Sequence, residues 1–304
     1  MQKNLDKQFD VPNFTPENPL PLLKVGTTGR IFPIRLKLFQ TPLFVSMCTA
    51  DIYIGLSAQQ RGAHVSRISE AIQKTCIMEF ESPQQLVLEL AKSVKEGQSS
   101  NESMVNLRFM WTELEKTPVT DLDSMQSYEI SASAKISNKN SYLSIAVIVP
   151  SITACPCVQL NAREYYRRYS LDNDFSKSLN SKIPIFSHSQ RVLINTQLTI
   201  YDFSKALSLD FRNLIKITKE TVPPTYDLLK RIDEVKVVEN AHLIPLFCED
   251  IARNLGVNIA KQLSALPEDS DLLIDVSSIE SIHSYNLNSE LSMKIGEIKK
   301  TLKL

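Results

Sequence analysis

The segment IFPIRLKL, residues 31–38, alternates apolar and polar side chains, which predicts a β-strand with one buried face. From this strand the first half of the chain continues in the order β-β-α-α-β-β. Ser82 and Pro83 begin the second helix, because proline suits a first helical turn. The elements after the first strand are predicted at residues 41–54, 65–74, 83–91, 103–114 and 127–149, the last containing one or two strands.

The second half of the chain repeats this order without obvious sequence identity to the first half. Its strands are predicted at residues 190–201, 271–283 and 289–295, and its helices at residues 207–221, 225–232 and 243–263. This doubled order predicts an α+β fold. The predicted boundaries are an N-terminal arm at 1–30, a first module at 31–160, an insert or linker at 161–187 and a second module at 188–304.

The composition narrows the class of protein. The chain has 304 residues, 43% of them hydrophobic, and its 34 acidic and 34 basic residues cancel. Zero net charge is not typical of a nucleic-acid-binding protein, so no nucleic-acid partner is expected. Five cysteines in no dense framework indicate a reducing compartment. Since no apolar run approaches the roughly 20 residues of a membrane span, we expect a cytoplasmic protein with no membrane partner.

Glycine usage limits how the protein binds nucleotides. The chain has only 7 glycines and contains neither GxGxxG nor GxxxxGK[ST]. A Rossmann or P-loop nucleotide site is therefore not expected. Any phosphate group must instead be held by side chains, helix ends or other backbone amides.

The segment Ala154-Cys155-Pro156-Cys157 carries candidate metal ligands. If it is extended, Cys155 and Cys157 face the same side, so that one thiolate binds a metal while the other serves acid–base chemistry. Two structural cysteines are the alternative. With His188 and Glu234, the thiolate forms a ligand set that suits zinc or a similar divalent metal. Taken singly, His188 is an ordinary loop histidine and Glu234 a surface glutamate.

Two further segments place carboxylates where they suit chemistry. Glu249 lies in PLFCED, residues 245–250, and its carboxylate can accept two adjacent N–H bonds, as the edge of a guanine offers. Glu280 and His283 are three residues apart and suit a proton-transfer pair. The alternatives are a helix-surface glutamate and a polar pair at the end of a strand.

The segment RGAHVSR, residues 61–67, opens a helix with Arg61, His64, Ser66 and Arg67. Helix amides together with arginines suit a polyphosphate, whereas ordinary helix capping with exposed arginines is the alternative. His242 is predicted to cap or pack.

Together and in this order, these segments resemble the type IB GTP cyclohydrolases, a prokaryotic class unrelated in sequence to the type IA enzymes. The resemblance extends from about residue 25 to about residue 290. It is carried by RGAHVSR (61–67), TACPC (153–157), HSQR (188–191), LLKRIDE (228–234), PLFCED (245–250) and ESIH (280–283).

The resemblance implies a tunnelling fold of two β-β-α-α-β-β modules with antiparallel sheets and helices on one face, assembled as a homotetramer. It also implies hydrolytic opening of the GTP imidazole ring, with release of formate and formation of 7,8-dihydroneopterin triphosphate for folate or pterin biosynthesis. The implied cofactor is a divalent metal: zinc, ferrous iron or manganese. By matching position, the metal ligands are Cys155, His188 and Glu234; the proton-transfer residues are Cys157, Glu280 and His283; and the substrate contacts are Glu249, Arg61, His64, Ser66, Arg67 and Arg191.

Some positions depart from the family pattern, and alternative functions stand beside the one that the resemblance implies. Ala63 and Val65 replace bulkier residues, HSQR replaces the frequent HNQR, and Tyr285 stands where a second histidine is usual. The alternative product is 7,8-dihydroneopterin 2′,3′-cyclic phosphate, formed by the archaeal-type variant, which the Val-Gln after TACPC favours. A non-catalytic purine- or pterin-binding protein with a structural metal is a second alternative. A reductase with Cys157 as nucleophile would need a nicotinamide cofactor, for which the sequence shows no signal.

Overall fold

The computed structural model describes residues 10–169 and 184–304. A short 3-10 turn at Val11–Asn13 precedes the first strand. The strands are β1 (Leu22–Leu36), β2 (Phe44–Leu56), β3 (Ser103–Lys116), β4 (Asp123–Ile136), β5 (Tyr142–Ala154), β6 (Ser189–Ile200), β7 (Asp271–Ile279) and β8 (Leu287–Lys294). The helices are α1 (Val65–Cys76), α2 (Pro83–Gln98), α3 (Pro156–Tyr169), α4 (Phe203–Ser208), α5 (Arg212–Thr221), α6 (Arg231–Leu243), α7 (Cys248–Gln262) and α8 (Ile295–Leu302).

The strands form one eight-stranded sheet in sequence order, from β1 to β8. The pairs β1-β2, β2-β3 and β7-β8 are antiparallel, with Phe32 opposite Cys48 and Ile274 opposite Leu291. The register of β1 shifts between Thr27 and Arg30, where Gly29 has φ 65° and donates its N–H to Asp51. Because this left-handed conformation favours glycine, the shift is encoded locally. The α+β prediction is confirmed.

The chain divides into two compact units built from interleaved segments. The first unit comprises the described residues within 1–110, 130–145 and 199–210, and its core contains Ile52, Ile68 and Leu90. Helices α1 and α2 cover its part of the sheet with their buried apolar sides. The predicted arm, insert and module boundaries stay a prediction.

The second unit comprises the described residues within 111–129, 146–198 and 211–304. Helix α7 packs on β7 and β8 through a buried stripe that includes Ile251, Leu255 and Ile259. All the predicted metal ligands and proton-transfer residues belong to this unit. The residues predicted to hold the phosphates belong to the first unit, apart from Arg191.

Each helix predicted in the second half has different bounds in the structure. The helix expected at 207–221 is two helices, α4 and α5, because Leu209 leaves the helical conformation with φ −80° and ψ 118°. The helix expected at 225–232 begins only at Arg231, because residues 223–225 run along β5 instead, with the Ile152 N–H donating to the Pro223 carbonyl and the Thr225 N–H donating to the Pro150 carbonyl. The helix expected at 243–263 is two helices, α6 and α7, interrupted near Pro245.

Other elements also differ from the predictions, and helix α3, which begins at Pro156 and continues into the predicted insert, was not predicted. Strand β1 begins at Leu22 rather than at residue 31, and β7 ends at Ile279 rather than at residue 283. Helix α8 after the last strand was not predicted. The early start of β1 was missed because its N-terminal part, LLKVGTTG, is largely exposed and does not alternate.

Candidate active site

Cys155 lies at the junction of β5 and α3, between the last strand residue, Ala154, and the first helical residue, Pro156. Its N–H donates to the His188 carbonyl at 3.1 Å, and its carbonyl accepts from the Gln159 N–H at 3.2 Å. Residues 155–157 were expected to be extended, with both thiols facing the same side, but the chain is helical from Pro156 and this expectation is wrong. Cys157 is in the first turn of α3 and is exposed, whereas Cys155 is half-buried.

His188 immediately precedes β6, as predicted, and the loop after β7 lies against its ring. Its Nδ1 hydrogen-bonds the Ser281 hydroxyl at 3.3 Å, and its ring centroid is 6.3 Å from that of His283 in an edge arrangement. His283 stacks on Tyr285 at 5.2 Å. The structure therefore places His283 beside His188, and Tyr285 supports it with an aromatic face rather than a second imidazole.

Glu280 begins the same loop. Its carboxylate accepts from the Ser278 hydroxyl at 2.8 Å, and its N–H donates to the Asn286 side chain at 3.3 Å. Glu280 is half-buried and His283 is exposed, so both side chains remain accessible to solvent or a ligand.

Glu234 lies in the first turn of α6, not at the end of a helical turn, and is exposed. Its neighbour Asp233 is buried and anchors the helix start: its carboxylate accepts the N–H groups of Val119 and Thr120, each at 2.9 Å, and of Lys230 at 3.0 Å. Burial alone would raise the pKa of Asp233, but these bonds and the one from the Thr120 hydroxyl outweigh it and hold the pKa at about 2.

The predicted metal ligands are only partly assembled. Cys155 and His188 are joined through their backbones, and thiolate sulfur with imidazole nitrogen suits a divalent metal. Within residues 10–169 and 184–304, however, no three Cys, His, Asp or Glu side chains are grouped closely enough to hold an ion. The donor chemistry fits a metal, while Glu234 is not brought into a cluster with the other two.

Glu249 is in the first turn of α7 and is exposed. Its own N–H, and then the thiol of Cys248, which donates at 3.2 Å, hold the pKa of this carboxyl below its usual range. Burial raises the pKa of the Cys248 thiol, so it stays a donor. The result is an ionised carboxylate at a helix start, able to accept further N–H donors.

The RGAHVSR segment lies in the first unit, where two of its side chains are already engaged. His64 is buried at the start of α1, with Nε2 3.0 Å from the Asn13 side chain and Nδ1 3.3 Å from Asp10. Arg67 donates to the Gly97 carbonyl at 2.9 Å and lies 3.7 Å from Asp10. Intrachain acceptors therefore occupy His64 and Arg67.

Arg61, Val65 and Ser66 are the exposed members of that segment. A cavity of about 550 Å³ beside it contains both signs of charge, since Asp10, Glu70 and Glu96 join Arg67 and Lys74 in its lining. Arg191, on β6, is also exposed. Ser281, whose hydroxyl bonds the His188 ring, was not predicted as a site residue, although it lies inside the ESIH segment.

Comparison with known proteins shows the class to which this arrangement belongs. Residues 9–289 match the model of the type I GTP cyclohydrolase folE2 family. The chain belongs to this family, and it is an enzyme of the GTP cyclohydrolase class. The resemblance drawn from the six segments is confirmed, and the family is metal-dependent in general.

Curated relatives match over almost their whole length. GTP cyclohydrolase MptA of Methanococcus vannielii is 29% identical over 311 residues, covering 97% of this chain and 99% of the relative. GTP cyclohydrolase MptA of Methanocaldococcus jannaschii is 28% identical over 308 residues, covering 96% and 97%.

Solved structures show the fold. A uricase from Bacillus fastidious has a TM-score of 0.52 at 8% identity, covering 93% of this chain and 96% of its own. Urate oxidase from Bacillus sp. TB-90 has a TM-score of 0.52 at 7% identity, covering 90% and 100%. These likenesses confirm the predicted tunnelling fold. Separately, no helix among the described residues has the length and apolar character needed to cross a membrane.

Proposed function

We propose that this GTP cyclohydrolase opens the imidazole ring of GTP hydrolytically, releases formate and forms 7,8-dihydroneopterin triphosphate for folate or pterin biosynthesis. The observation that carries the proposal is the junction of Cys155 with His188, with His283 beside the His188 ring. Thiolate, imidazole and a second imidazole next to them are what a metal-assisted hydrolysis with proton transfer needs.

In this proposal Cys155, His188 and Glu234 hold a divalent metal, which is zinc, ferrous iron or manganese. When bound, the metal supplies Lewis acidity that makes water a better nucleophile near neutral pH. The Ser281 hydroxyl holds one ring nitrogen of His188, so it orients the imidazole and leaves the other nitrogen for a ligand bond.

The remaining residues of the second unit bind and protonate the purine. Glu249, ionised at the start of α7, accepts the N–H groups of the guanine edge. Cys157 is exposed in the first turn of α3 and transfers a proton near the attacked carbon. Glu280 and His283, on the loop that lies against His188, carry protons during ring opening and the later rearrangement.

Five basic or hydroxyl side chains are proposed to contact the rest of the substrate: Arg61, His64, Ser66, Arg67 and Arg191. Arg61 and Ser66 are exposed and need no rearrangement for this role. His64 and Arg67 would have to exchange Asp10 for phosphate oxygens, which also accept charge-assisted hydrogen bonds.

The product has one alternative, 7,8-dihydroneopterin 2′,3′-cyclic phosphate. The observation that favours it is that the two relatives above carry the name MptA, the archaeal type, over nearly their full length. We further propose that the enzyme is a homotetramer.

The experiment that tests the proposal is incubation of purified, metal-loaded protein with GTP. We expect formate and a fluorescent pterin, and mass spectrometry of the product separates the triphosphate from the cyclic phosphate. GTP binding without formate release would instead identify a non-catalytic purine-binding protein.

A matched pair of variants tests the ligand assignment. Cys155→Ala should lose metal and activity together, whereas Cys76→Ala, which removes another half-buried thiol, should lose neither. Full metal occupancy in Cys155→Ala would remove Cys155 from the ligand set.

A further inference from the structure

Gln159 connects the helix after Cys155 to two other parts of the second unit. It lies one turn into α3, and its side-chain amide donates to two backbone carbonyls, that of Ile185 at 2.9 Å and that of His242 at 2.8 Å. The His242 carbonyl is among the last four of α6, which have no partner within the helix. One amide group therefore satisfies the end of α6 and the chain leading to His188.

His242 makes the same connection with its side chain. The ring is buried, and its two nitrogens lie 2.8 Å from the Val238 carbonyl and 2.9 Å from the Ser187 carbonyl. The ring also packs edge-on against Phe186 at 5.0 Å. These hydrogen bonds therefore attach the segment from Ile185 to Ser187, which lies immediately before His188, to the C-terminal turn of α6.

These contacts join the three elements that carry the proposed ligands. Cys155 immediately precedes α3, His188 immediately follows the segment 185–187, and Glu234 lies in the first turn of α6. The Cys155 N–H bond to the His188 carbonyl completes the connection. Neither Gln159 nor His242 is a ligand in the proposed set, and their polar groups bond the backbone of these elements.

We propose that Gln159 and His242 are positioning residues of the metal site, holding the backbones of Cys155, His188 and Glu234 in place. This inference rests on the proposed function. Outer partners of metal ligands typically change metal affinity by about 10–100-fold when they are removed. Without Gln159 or His242, carbonyls at Ile185, Ser187 or His242 lose their hydrogen-bond donors, and the segments that carry the ligands are held less firmly.

The test compares Gln159→Met with a matched control, Gln84→Met. Gln84 is also a glutamine whose amide donates to two backbone carbonyls, those of Ala206 and Leu209, but it belongs to the first unit and neither partner is in a segment that carries a proposed ligand. Zn²⁺ affinity of the metal-free proteins is measured by chelator competition. We expect a dissociation constant raised about 10–100-fold in Gln159→Met and unchanged in Gln84→Met, although both substitutions lower the melting temperature.

Hydrogen exchange of the metal-free proteins gives a readout that is independent of metal and of activity. Peptides covering residues 150–160 and 184–192 should exchange faster in Gln159→Met than in wild type and stay unchanged in Gln84→Met. His242→Phe, which keeps an aromatic ring against Phe186 but removes both ring nitrogens, should behave like Gln159→Met.

The outcomes separate the two proposals. Unchanged Zn²⁺ affinity and unchanged exchange in Gln159→Met would overturn the positioning role while leaving the proposed function intact. Equal losses of affinity in Gln159→Met and Gln84→Met would also overturn it, since the effect would then be general stability. A wild-type protein that binds no Zn²⁺, Fe²⁺ or Mn²⁺ would overturn the proposed function and the positioning role with it.

Discussion

Cys155 and Glu249 show how local backbone geometry sets the chemistry of a single side chain. Cys155 ends a strand and begins a helix, so its main chain bonds to both His188 and Gln159 while its thiol stays half-buried. Glu249 owes its ionised state to an N–H of the helix start and to one thiol. In both cases the start of a helix positions the functional group.

At Glu249 the prediction concerns recognition of guanine. Glu249→Ala should bind metal normally but lower kcat/KM for GTP by at least about 100-fold, because two charge-assisted hydrogen bonds are worth about 1.5–3 kcal/mol each. Steady-state kinetics with metal analysis checks this, and Glu290→Ala, which removes another exposed carboxylate of the same unit, serves as control. Normal turnover in Glu249→Ala would remove the guanine anchor from the proposal.

Cys48 and Cys157 differ in burial, which predicts different reactivities for their thiols. Burial raises the pKa of the Cys48 thiol to about 12, whereas Cys157 is exposed. Because the thiolate is the reactive form, a disulfide reagent at pH 8 should modify Cys157 early and Cys48 only after unfolding. Mass spectrometry of the labelled peptides measures the order, and early labelling of Cys48 would contradict its burial.

Side-chain hydrogen bonds hold both ends of helix α6. Asp233 accepts backbone N–H groups at its start, and the side chains of Gln159 and His242 hydrogen-bond backbone carbonyls at its last turn. Fastening at both ends explains why a helix with no clear apolar stripe keeps one position in the second unit.

Asp233 makes the stability of this element depend on pH. Its folded pKa of about 2 lies below the ordinary value of 3.8, so its contribution is complete above about pH 4 and is lost as pH falls towards 2. Asp233→Asn should lower the melting temperature by several degrees at pH 7 and flatten its decrease between pH 4 and pH 2. Asp202→Asn, which alters the exposed cap of α4, should change both much less.

Thermal unfolding followed by circular dichroism across this pH range measures both effects. An Asp233→Asn protein whose melting temperature equals that of wild type at pH 7 would show that the anchored helix start contributes little.

In the first unit, exposed apolar side chains on β1 and β2 form a candidate surface for assembly into an oligomer. Ile31 on β1 is 69% exposed, and Val45 and Met47 on β2 are 54% and 56% exposed. Contiguous exposed apolar side chains on a sheet are typical of surfaces that bind other chains.

The proposed homotetramer predicts a particle four times the 34.4 kDa of one chain, measured by light scattering after size exclusion. Met47→Lys should shift the distribution towards smaller species, because a buried lysine without a partner is costly. Gln73→Lys, on the exposed side of α1, should leave it unchanged. A wild-type monomer at micromolar concentration would refute the tetramer.

Much of the fold followed from local patterns, and the failures have local causes. Alternation predicted strands in the regions of β1, β2, β3 and β6, and helical spacing predicted α1 and α2. Pro245 interrupted one predicted helix, because a proline constrains the residue before it as well as itself, and the bonds of residues 223–225 to β5 delayed the start of another. The exposed start of β1 carried no alternation, so its pairing with β2 was visible only in the folded sheet.

The sequence by itself determined the family and the kinds of side chain available, because six short segments in a fixed order carry that information. Only the tertiary structure decided which of these groups meet. It joined Cys155 to His188 and set His283 beside them, since backbone bonds between distant segments form only when the sheet and helices pack. It also paired His64 with Asn13, and Arg67 with Asp10 and Gly97. Hydrogen bonds of Gln159 and His242 connect three elements in the same way. Such pairings depend on distances in space that residue spacing along a chain does not contain.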